Sequence, residues 1–322
     1  MVNYKTADLV MQCLASIDKQ NDALNGGKVI VVDNNSQDGS AEKLASYVQK
    51  NHFNRWLDIV AMPRNGGFAY GCNAGISHAF AVDAATDYVM LLNPDTLLRA
   101  NAIASLSNFM DANHQVGIAG SQLENSEGGI ENSAHRFHSL MGELLEGARL
   151  GFLSRLFSRY ETTPVLKVGN FQCDWVSGAS MMIRRQLIQE IGPLDEGFFL
   201  YFEEVDFFYR AAKAGWQTWY VPAAKVMHIE GAATGIKSDK RRPQYWYDSR
   251  RRYFIKHHGV LGLVCADILW GIGRFSYLFR RLFKLGAQGS SADPKFLTWD
   301  LLMGDAKSIL IGKISIKNKG IY

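Results

Sequence analysis

Short apolar runs alternate with amphipathic stretches over the first 100 residues. Four-residue apolar runs bounded by turn residues are typical of strands buried on both faces, and apolar positions three and four apart predict helices. The strands are predicted at residues 28–33, 57–62 and 89–92, and the helices at 9–17, around 44–48 and at 69–81. Thr6 is a plausible N-cap of the first helix. This alternation predicts the α/β class, with a mostly parallel sheet covered by helices.

Beyond residue 100 the pattern is less regular. It predicts a helix at 102–110, a strand at 116–119, a strand at 173–183 bent by Gly178, and a helix at 185–191. Residues 126–165 are interpreted as an insertion or flexible loop. Residues 261–284 mix aromatic and aliphatic side chains with arginines, which suits a bilayer interface or a helix docked on the main domain. No apolar run is expected to span a bilayer.

Composition and charge narrow the class of protein. The chain of 322 residues is 47% hydrophobic and 20% charged, with a net charge of +4. Its basic residues concentrate in the C-terminal third, which favours contact with phosphates or an anionic membrane surface, and no nucleic-acid partner is expected. Four widely spaced cysteines indicate a reducing compartment and argue against a zinc site. With no signal peptide recognised, the predicted localisation is cytoplasmic.

Three turns follow successive predicted strands. They contain Asp33 and Asn34, then Gly66 and Gly67, and then the segment 93–95 with the sequence Asn-Pro-Asp. In a doubly wound sheet such turns share one edge, where ligands bind. A nucleotide pocket and a set of ordinary capping or turn residues both fit this pattern. The glycines belong to neither a GxGxxG nor a P-loop motif.

Acidic residues and one histidine are further candidates for chemistry. Glu203, Glu204 and Asp206 lie within an aromatic segment, where burial raises a carboxyl pKa and suits a general base. Acids at a helix N-terminus, favoured by the helix dipole, are the alternative. His228 ends an apolar run, where a histidine is more often a packed or capping residue than a ligand; with Asp95 it would complete a divalent-metal shell.

Together these residues resemble the inverting family 2 glycosyltransferases of the GT-A fold, especially a rhamnosyltransferase-like subgroup. The resemblance covers roughly residues 1–260 and includes His228. The matching stretches are VNYKTADL, VVDNNSQDGS, NGGFAYGCNAG, LLNPDT, WVSGASMMIRR and FFLYFEEVDFFYR. It implies a GT-A Rossmann-like sandwich at residues 1–258, with a nucleotide-binding half (1–100) and an acceptor and catalytic half (101–258). A helical extension at 259–322 would follow, with possible membrane-interfacial contact.

The resemblance also implies roles for individual residues. Glu204 would be the catalytic base, while Asp95 and His228 would hold Mg²⁺ or Mn²⁺. The implied donor-binding residues are Asn3, Tyr4, Asp33, Asn34, Gly66, Gly67, Asn73, Asn93, Trp175, Ser177 and Gly178. Asn93 stands where the family's metal-binding motif has its first acid, which weakens the implied metal site. The family's opening strand also has more apolar residues before Val2, so adding such residues is expected to raise thermal stability.

The implied reaction is inverting transfer of a sugar, with rhamnose as the leading choice, from a dTDP- or UDP-sugar. The acceptor would be a saccharide or a lipid-diphosphate-linked saccharide in cell-surface polysaccharide synthesis, with peripheral contact at the inner leaflet. UDP-galactofuranose, UDP-N-acetylglucosamine and UDP-glucose remain alternative donors. A catalytically weak nucleotide-sugar-binding protein is a second alternative. A nucleotidyltransferase is disfavoured, because residues 2–6 lack a glycine-rich basic loop.

Overall fold

The structure is a computed structural model that describes residues 1–20, 24, 26–229, 241–283 and 293–311. The chain divides into two compact units. Unit 1 comprises the described residues within Met1–His135, Val165–Phe199 and Glu203–Gly235. Unit 2 comprises those within Arg136–Pro164, Leu200–Phe202 and Ile236–Tyr322. The predicted boundary between residues 258 and 259 remains a prediction, since unit 2 also draws on residues far earlier in the chain.

A parallel three-stranded sheet opens unit 1, in the order β1-β2-β3. Its strands are β1 (Val2–Asn3), β2 (Val29–Asp33) and β3 (Leu57–Ala61). Buried valines on β2 form the centre of this sheet, as the apolar run predicts. A cavity of about 1010 Å³ is lined by side chains of β2, of the next strand β4 (Tyr88–Leu92) and of the helix at 68–82.

A larger sheet holds the rest of unit 1, in the order β4-β11-β6-β12-β5, with β7 beside β6 and β9 beside β12. Its further strands are β5 (Thr96–Leu98), β6 (Val116–Glu124), β7 (Ile130–Glu131), β9 (Phe171–Cys173), β11 (Ser180–Arg184) and β12 (Gln217–His228). A separate antiparallel pair consists of β8 (Ala134–His135) and β10 (Trp175–Val176).

The α/β class is confirmed, but the strand directions differ from the prediction. Within the described sheets, β1–β3 are parallel, whereas β6 and β12 are the one parallel pair of the larger sheet. A buried strand has the same apolar pattern in either direction, so the sequence could not show this. The single bent strand predicted at 173–183 is also wrong, because the chain pairs with different strands on either side of Gly178.

Helices cover the sheets of unit 1. They are α1 (Ala7–Asp18), α2 (Ser40–Lys50), α3 (Phe68–Val82), α4 (Ala102–Asp111), α7 (Arg185–Ile191) and α8 (Glu203–Lys213). Val10, Cys13 and Leu14 on α1 are fully buried against the sheet, as their spacing predicts. Thr6 occupies the N-cap position without capping, because its hydroxyl donates to Asn3 Oδ1 at 3.0 Å.

Unit 2 is helical. It contains α5 (Leu140–Ala148), α6 (Gly151–Leu156), α9 (Gln244–Leu282) and α10 (Leu297–Leu310). Of the two interpretations of residues 126–165, the flexible loop is wrong, since β7, β8, α5 and α6 all lie there. The insertion fits the division of the chain, because Arg136–Pro164 belong to unit 2 and interrupt unit 1. Ser139 Oγ accepts a hydrogen bond from Gly142 N at 3.1 Å and so caps α5. Small residues let α5 and α9 approach closely: a Cβ on Gly147 would lie 2.4 Å from the Trp270 carbonyl oxygen.

The helix α9 is long and apolar enough, by length and composition, to cross a membrane, which differs from the prediction for this region. A buried core helix passes the same test. Gly259, with φ of 72°, divides α9 into residues 244–258 and 260–282. Arg250 is buried on the first segment and bonds to Glu143 at 2.8 Å and to Asp267 at 2.9 Å. The pair with Glu143 joins α9 to α5, and the pair with Asp267 joins the two segments of α9.

Candidate active site

The turn after β2 is held by a network of short polar contacts. Asp33 Oδ1 accepts hydrogen bonds from Asn3 Nδ2 at 2.6 Å and from the Ser36 hydroxyl at 2.5 Å. Asn3 also accepts from the backbone N–H of Thr6 at 3.2 Å, which connects β1 to the start of α1. Asn3 and Asp33 are both buried. The structure thus brings these two predicted residues together, and their existing bonds give each a role in holding the turn.

The second turn is joined to the first through Asn34. Its Nδ2 donates to Asn65 Oδ1 at 3.0 Å and to the Gly67 carbonyl oxygen at 2.9 Å. Asn65 Oδ1 also accepts from Gly67 N at 3.0 Å. The prediction that the turns share an edge therefore holds for this pair. Asn65 is a site residue that the residue-by-residue prediction missed, although it stands directly before the two glycines.

The two glycines allow close approach, but to the protein itself. A Cβ on Gly66 would lie 2.5 Å from the Tyr70 ring. Gly67 has φ of +91°, and its Cβ would lie 2.2 Å from the carbonyl oxygen of Phe199. That oxygen accepts a hydrogen bond from Phe68 N at 2.8 Å. Since even the shortest real contacts exceed these distances, no other residue fits here without a shift of backbone or ring.

Two other predicted donor-binding residues differ in how accessible they are. Tyr4 is 42% exposed, so its ring is open to stacking. Asn73 lies on α3, and its amide bonds to the Leu194 backbone N–H and carbonyl and to Glu196. This arrangement anchors the loop before α8 and uses the polar atoms of Asn73. We therefore interpret Asn73 as an anchor, and its predicted donor contact has no support in this geometry.

The Asn-Pro-Asp turn connects β4 directly to β5, so Asp95 is not a helix N-cap. Asp95 is 3% exposed, and its backbone carbonyl accepts from Ile229 N at 2.9 Å. The antiparallel pairing of β12 with β5 places His228 opposite Thr96. As a result, His228 Nε2 lies 3.5 Å from Asp95 Oδ1. These two residues, predicted from distant parts of the sequence, are neighbours.

The pair fits a divalent cation. Two ligand atoms each about 2.1 Å from one ion lie about 3 to 3.5 Å apart, which is close to the observed separation. A carboxylate oxygen and an imidazole nitrogen are a donor set that Mn²⁺ accepts. Asn93 supplies a carbonyl-type oxygen in the same turn, and this Oδ1 is buried without a hydrogen-bond partner among the described residues. Asp95 and His228 would therefore hold the ion, with Asn93 close by.

Glu204 lies beside the strand ends. It is in the first turn of α8, and a Cβ on Gly178 would lie 3.8 Å from its Cβ and Cγ. The next residue, Ala179, accepts a hydrogen bond through its carbonyl oxygen from Asn93 N at 2.9 Å. A short chain of contacts therefore leads from the turn that contains Asp95 to the predicted base. Gly178 keeps the space beside Glu204 free of a side chain.

The electrostatics distinguish the three acids of α8. Burial raises the pKa of the Glu203 carboxyl well above its usual range, and the charge of Glu204 raises it further. Burial also raises the pKa of Glu204, while a hydrogen bond from Glu203 and backbone N–H groups oppose that rise. Asp206 is instead paired with Arg210 at 2.9 Å. Glu203 thus keeps its proton more readily, and Glu204 is the better base of the pair.

The strand pair β8–β10 lies beside Gly178. Trp175 stacks on His135 with ring centroids 4.1 Å apart, and the two residues are paired across the strands. Ser177 N donates to the Ser133 carbonyl at 2.9 Å. His135 is not among the residues predicted for the site. Its contact with Trp175 depends on pairing between distant segments, and no sequence signal could have indicated it.

The α/β fold that carries these turns, with its long C-terminal helix, matches GT-A glycosyltransferase structures. The family model for glycosyl transferase family 2 matches residues 1–192, and the chain belongs to this family. It is therefore a glycosyltransferase, an enzyme with a general sugar-transfer role.

Known proteins agree with this assignment. The chain is 26% identical over 220 residues to the N-acetylglucosaminyl-diphospho-decaprenol L-rhamnosyltransferase of Mycobacterium tuberculosis (strain CDC 1551 / Oshkosh), covering 64% of this chain and 68% of that protein. The fold resembles a Pyrobaculum calidifontis mannosyltransferase, PcManGT, solved with GDP-Man and Mn²⁺ (TM-score 0.52, 16% identity, 96% and 79% coverage). It also resembles GalNAc-T7 solved with UDP, GalNAc and Mn²⁺ (TM-score 0.53, 14% identity), covering 88% of this chain but only 51% of that one.

Proposed function

We propose that the protein is an inverting transferase that moves rhamnose from a dTDP- or UDP-sugar to a lipid-diphosphate-linked saccharide. One observation supports the proposal that a sugar nucleotide, with its many hydroxyl groups, binds at the strand ends. Asn34 Oδ1, Asn93 Oδ1 and Glu204 Oε2 are buried and have no hydrogen-bond partner among the described residues. Buried acceptors without partners are costly, and the hydroxyl groups of a sugar nucleotide supply donors for them.

Each side of the proposed site has a distinct task. Tyr4, exposed at the end of β1, would stack on the nucleobase, and the Asp33–Asn34 turn would face the base and ribose. Asp95 and His228 would hold Mg²⁺ or Mn²⁺ at the diphosphate. The bound cation supplies stabilisation of the negative charge on the departing diphosphate. Trp175, Ser177 and Gly178 would line the sugar and acceptor side, next to Glu204.

The chemistry is a single displacement. Glu204 takes the proton from an acceptor hydroxyl as the acceptor oxygen bonds to the anomeric carbon. The bond between that carbon and the diphosphate oxygen breaks on the opposite face, so the anomeric configuration inverts. The nucleoside diphosphate carries away the bonding electrons. The protonated Glu203 donates a hydrogen bond to Glu204 and so holds the base in its ionised form.

Rhamnose and the lipid-linked acceptor are proposed because the mycobacterial relative is an L-rhamnosyltransferase named for the acceptor N-acetylglucosaminyl-diphospho-decaprenol. A peripheral position at the cytoplasmic face of a membrane suits such an acceptor. Cell-surface polysaccharide synthesis would then be the process that uses the product.

The test is a donor screen with the full-length protein. Release of nucleoside diphosphate would be measured from dTDP-rhamnose, UDP-rhamnose, UDP-galactofuranose, UDP-N-acetylglucosamine and UDP-glucose, with and without Mn²⁺. We expect Mn²⁺-dependent release from dTDP- or UDP-rhamnose, and no release by the Glu204→Gln variant. If nucleoside diphosphate were released from one of the other sugar nucleotides and not from a rhamnose donor, that sugar would replace rhamnose in the proposal. Nucleotide-sugar binding without any release would support the alternative of a catalytically weak binding protein.

A further inference from the structure

The second segment of α9, residues 260–282, has two contrasting faces. Its inner face is buried in unit 2 and includes Leu263, Trp270 and Tyr277. A Cβ on Gly273 would lie 2.5 Å from the Leu144 carbonyl oxygen of α5, so the two helices are in close contact there. This face is the core of unit 2 and is not available to a ligand.

The outer face of the same segment is apolar and exposed. Leu261 is 75% exposed, Phe275 73% and Leu282 77%, in a part of the chain where aromatic and aliphatic side chains recur every three or four residues. The outer-face residues are Leu261, Ile268, Ile272, Phe275, Leu278, Phe279, Leu282 and the adjoining Phe283. From residue 261 to 282 the stripe runs about 30 Å along the helix, which exceeds a scatter of single exposed residues.

Charges are absent from this face over most of its length. The two charged residues between 260 and 279 are Asp267 and Arg274, and both are buried on the inner side. Asp267 pairs with Arg250 at 2.9 Å, and Arg274 pairs with Asp293. Positive charge returns at the end of the stripe, where Arg281 is exposed.

Two other helices of unit 2 also expose apolar side chains at helical spacing. On α10, which packs on α9, Trp299 and Met303 are 64% and 48% exposed. On α6, Phe152 and Leu156 are 71% and 63% exposed. Each pair is four residues apart, so each forms a local stripe on its own helix. Exposed apolar side chains are therefore a property of unit 2 and not of one helix alone.

We propose that the outer face of α9 is a docking surface for an anionic lipid bilayer. Amphipathic helices with phenylalanine on the apolar side and arginine at its margin lie in the plane of the bilayer interface. A second copy of the chain is the competing occupant, because the stripe has the spacing of a coiled-coil seam. The positions beside the stripe, however, lack the charges that set pairing in such seams; they are Val264, Leu269, Gly271 and Ser276.

This surface would bring the enzyme to a lipid-linked acceptor, and in that respect the inference rests on the proposed function. The binding itself requires no donor, acceptor or metal. Its test is flotation of the full-length protein with phosphatidylcholine vesicles and with vesicles of equimolar phosphatidylcholine and phosphatidylglycerol. The variant Phe275→Ser/Phe279→Ser removes the aromatic part of the surface, and Arg281→Gln removes a marginal charge. Ile130→Ser, at an exposed apolar residue of unit 1, is the matched control.

We expect binding to the phosphatidylglycerol vesicles that falls about a hundredfold in the double phenylalanine variant, because each ring buried in the interface contributes strongly. Arg281→Gln would reduce binding to the anionic vesicles alone, and Ile130→Ser would bind like the wild type. Equal binding by the double variant would overturn the proposal. The proposal would also be overturned if the wild type formed a dimer without vesicles and the double substitution abolished it, because a second copy would then occupy the surface. Donor hydrolysis in solution, measured separately, should be unchanged in every variant, which keeps a failure here distinct from a failure of the proposed function.

Discussion

Replacing Glu204 by glutamine separates the proposed base from its neighbours. The glutamine side chain has the same shape but cannot take a proton. Loss of a positioned general base typically lowers turnover by about two to four orders of magnitude, or about 2.7 to 5.4 kcal/mol of barrier. Because glutamine and glutamate are equal in size, the substitution should leave the contacts of Glu204, including the one with Gly178, in place. Nucleotide affinity, measured by calorimetry, should therefore remain within a few-fold of the wild type.

The two acids of the pair should also differ in their effect on pH dependence. Glu203→Gln retains a hydrogen-bond donor toward Glu204, so turnover should stay within a few-fold. Glu203→Leu removes the hydrogen bond that lowers the Glu204 pKa, so the acidic limb of the pH–rate profile should move to higher pH. These profiles would be measured as nucleoside diphosphate release at saturating donor and acceptor.

Stability provides a second readout with a defined sign. Burial raises the pKa of both acids in the folded state. The folded protein therefore binds their protons more tightly than the unfolded chain does. This stabilisation is complete below the usual glutamate pKa and is lost as the pH rises through the pKa values of the folded state. At alkaline pH, Glu204→Gln removes a buried charge and should raise Tm while turnover falls. Turnover within a few-fold of the wild type would refute the assignment of Glu204, and a matching loss in Asp206→Asn or Glu203→Gln would move the role to that residue.

Two further predictions concern the stability of unit 1. Gly67→Ala should lower stability by about 2 to 4 kcal/mol, because it combines a left-handed φ with a collision against the Phe199 carbonyl. Gly39→Ala is its control, with φ of +83° and open space, and calorimetry should show a clearly smaller loss; equal losses would refute the collision. Fusing several strand-forming apolar residues before Met1 should raise Tm relative to a Gly-Ser extension of equal length. The cavity lined by Met1, Val2 and side chains of β2 and β4 would take up these residues; equal Tm values would contradict this.

Local features of residues 1–100 could be predicted from the sequence. The helix predicted at 69–81 is Phe68–Val82 in the structure, and the strand predicted at 28–33 is Val29–Asp33. The apolar residues of this helix and this strand are buried, and both elements end at turn residues, so the sequence pattern alone locates them. By contrast, the strand predicted at 116–119 extends to Glu124, because buried polar residues such as Ser121 and Gln122 find partners on other strands.

The site itself could be predicted only in part. Asp95, His228 and Glu204 are residue types whose chemistry is visible in a sequence, and the first two do lie side by side. The roles of Asn65, Asn73 and His135 depend on hydrogen bonds or stacking with residues far away in the chain. The helical character of residues 140–156 was missed for a similar reason, since α5 packs on α9, more than 90 residues later in the sequence.

The central claim is that Asp95, at the end of β4, holds the divalent cation of a nucleotide-sugar site. The most direct test is Mn²⁺ binding followed by electron paramagnetic resonance, with and without dTDP or UDP, in the wild type and in Asp95→Asn. The account predicts Mn²⁺ binding that the nucleoside diphosphate strengthens, and at least a tenfold loss of that binding in the variant. Equal Mn²⁺ affinity in the two proteins, with the nucleotide still bound, would contradict it.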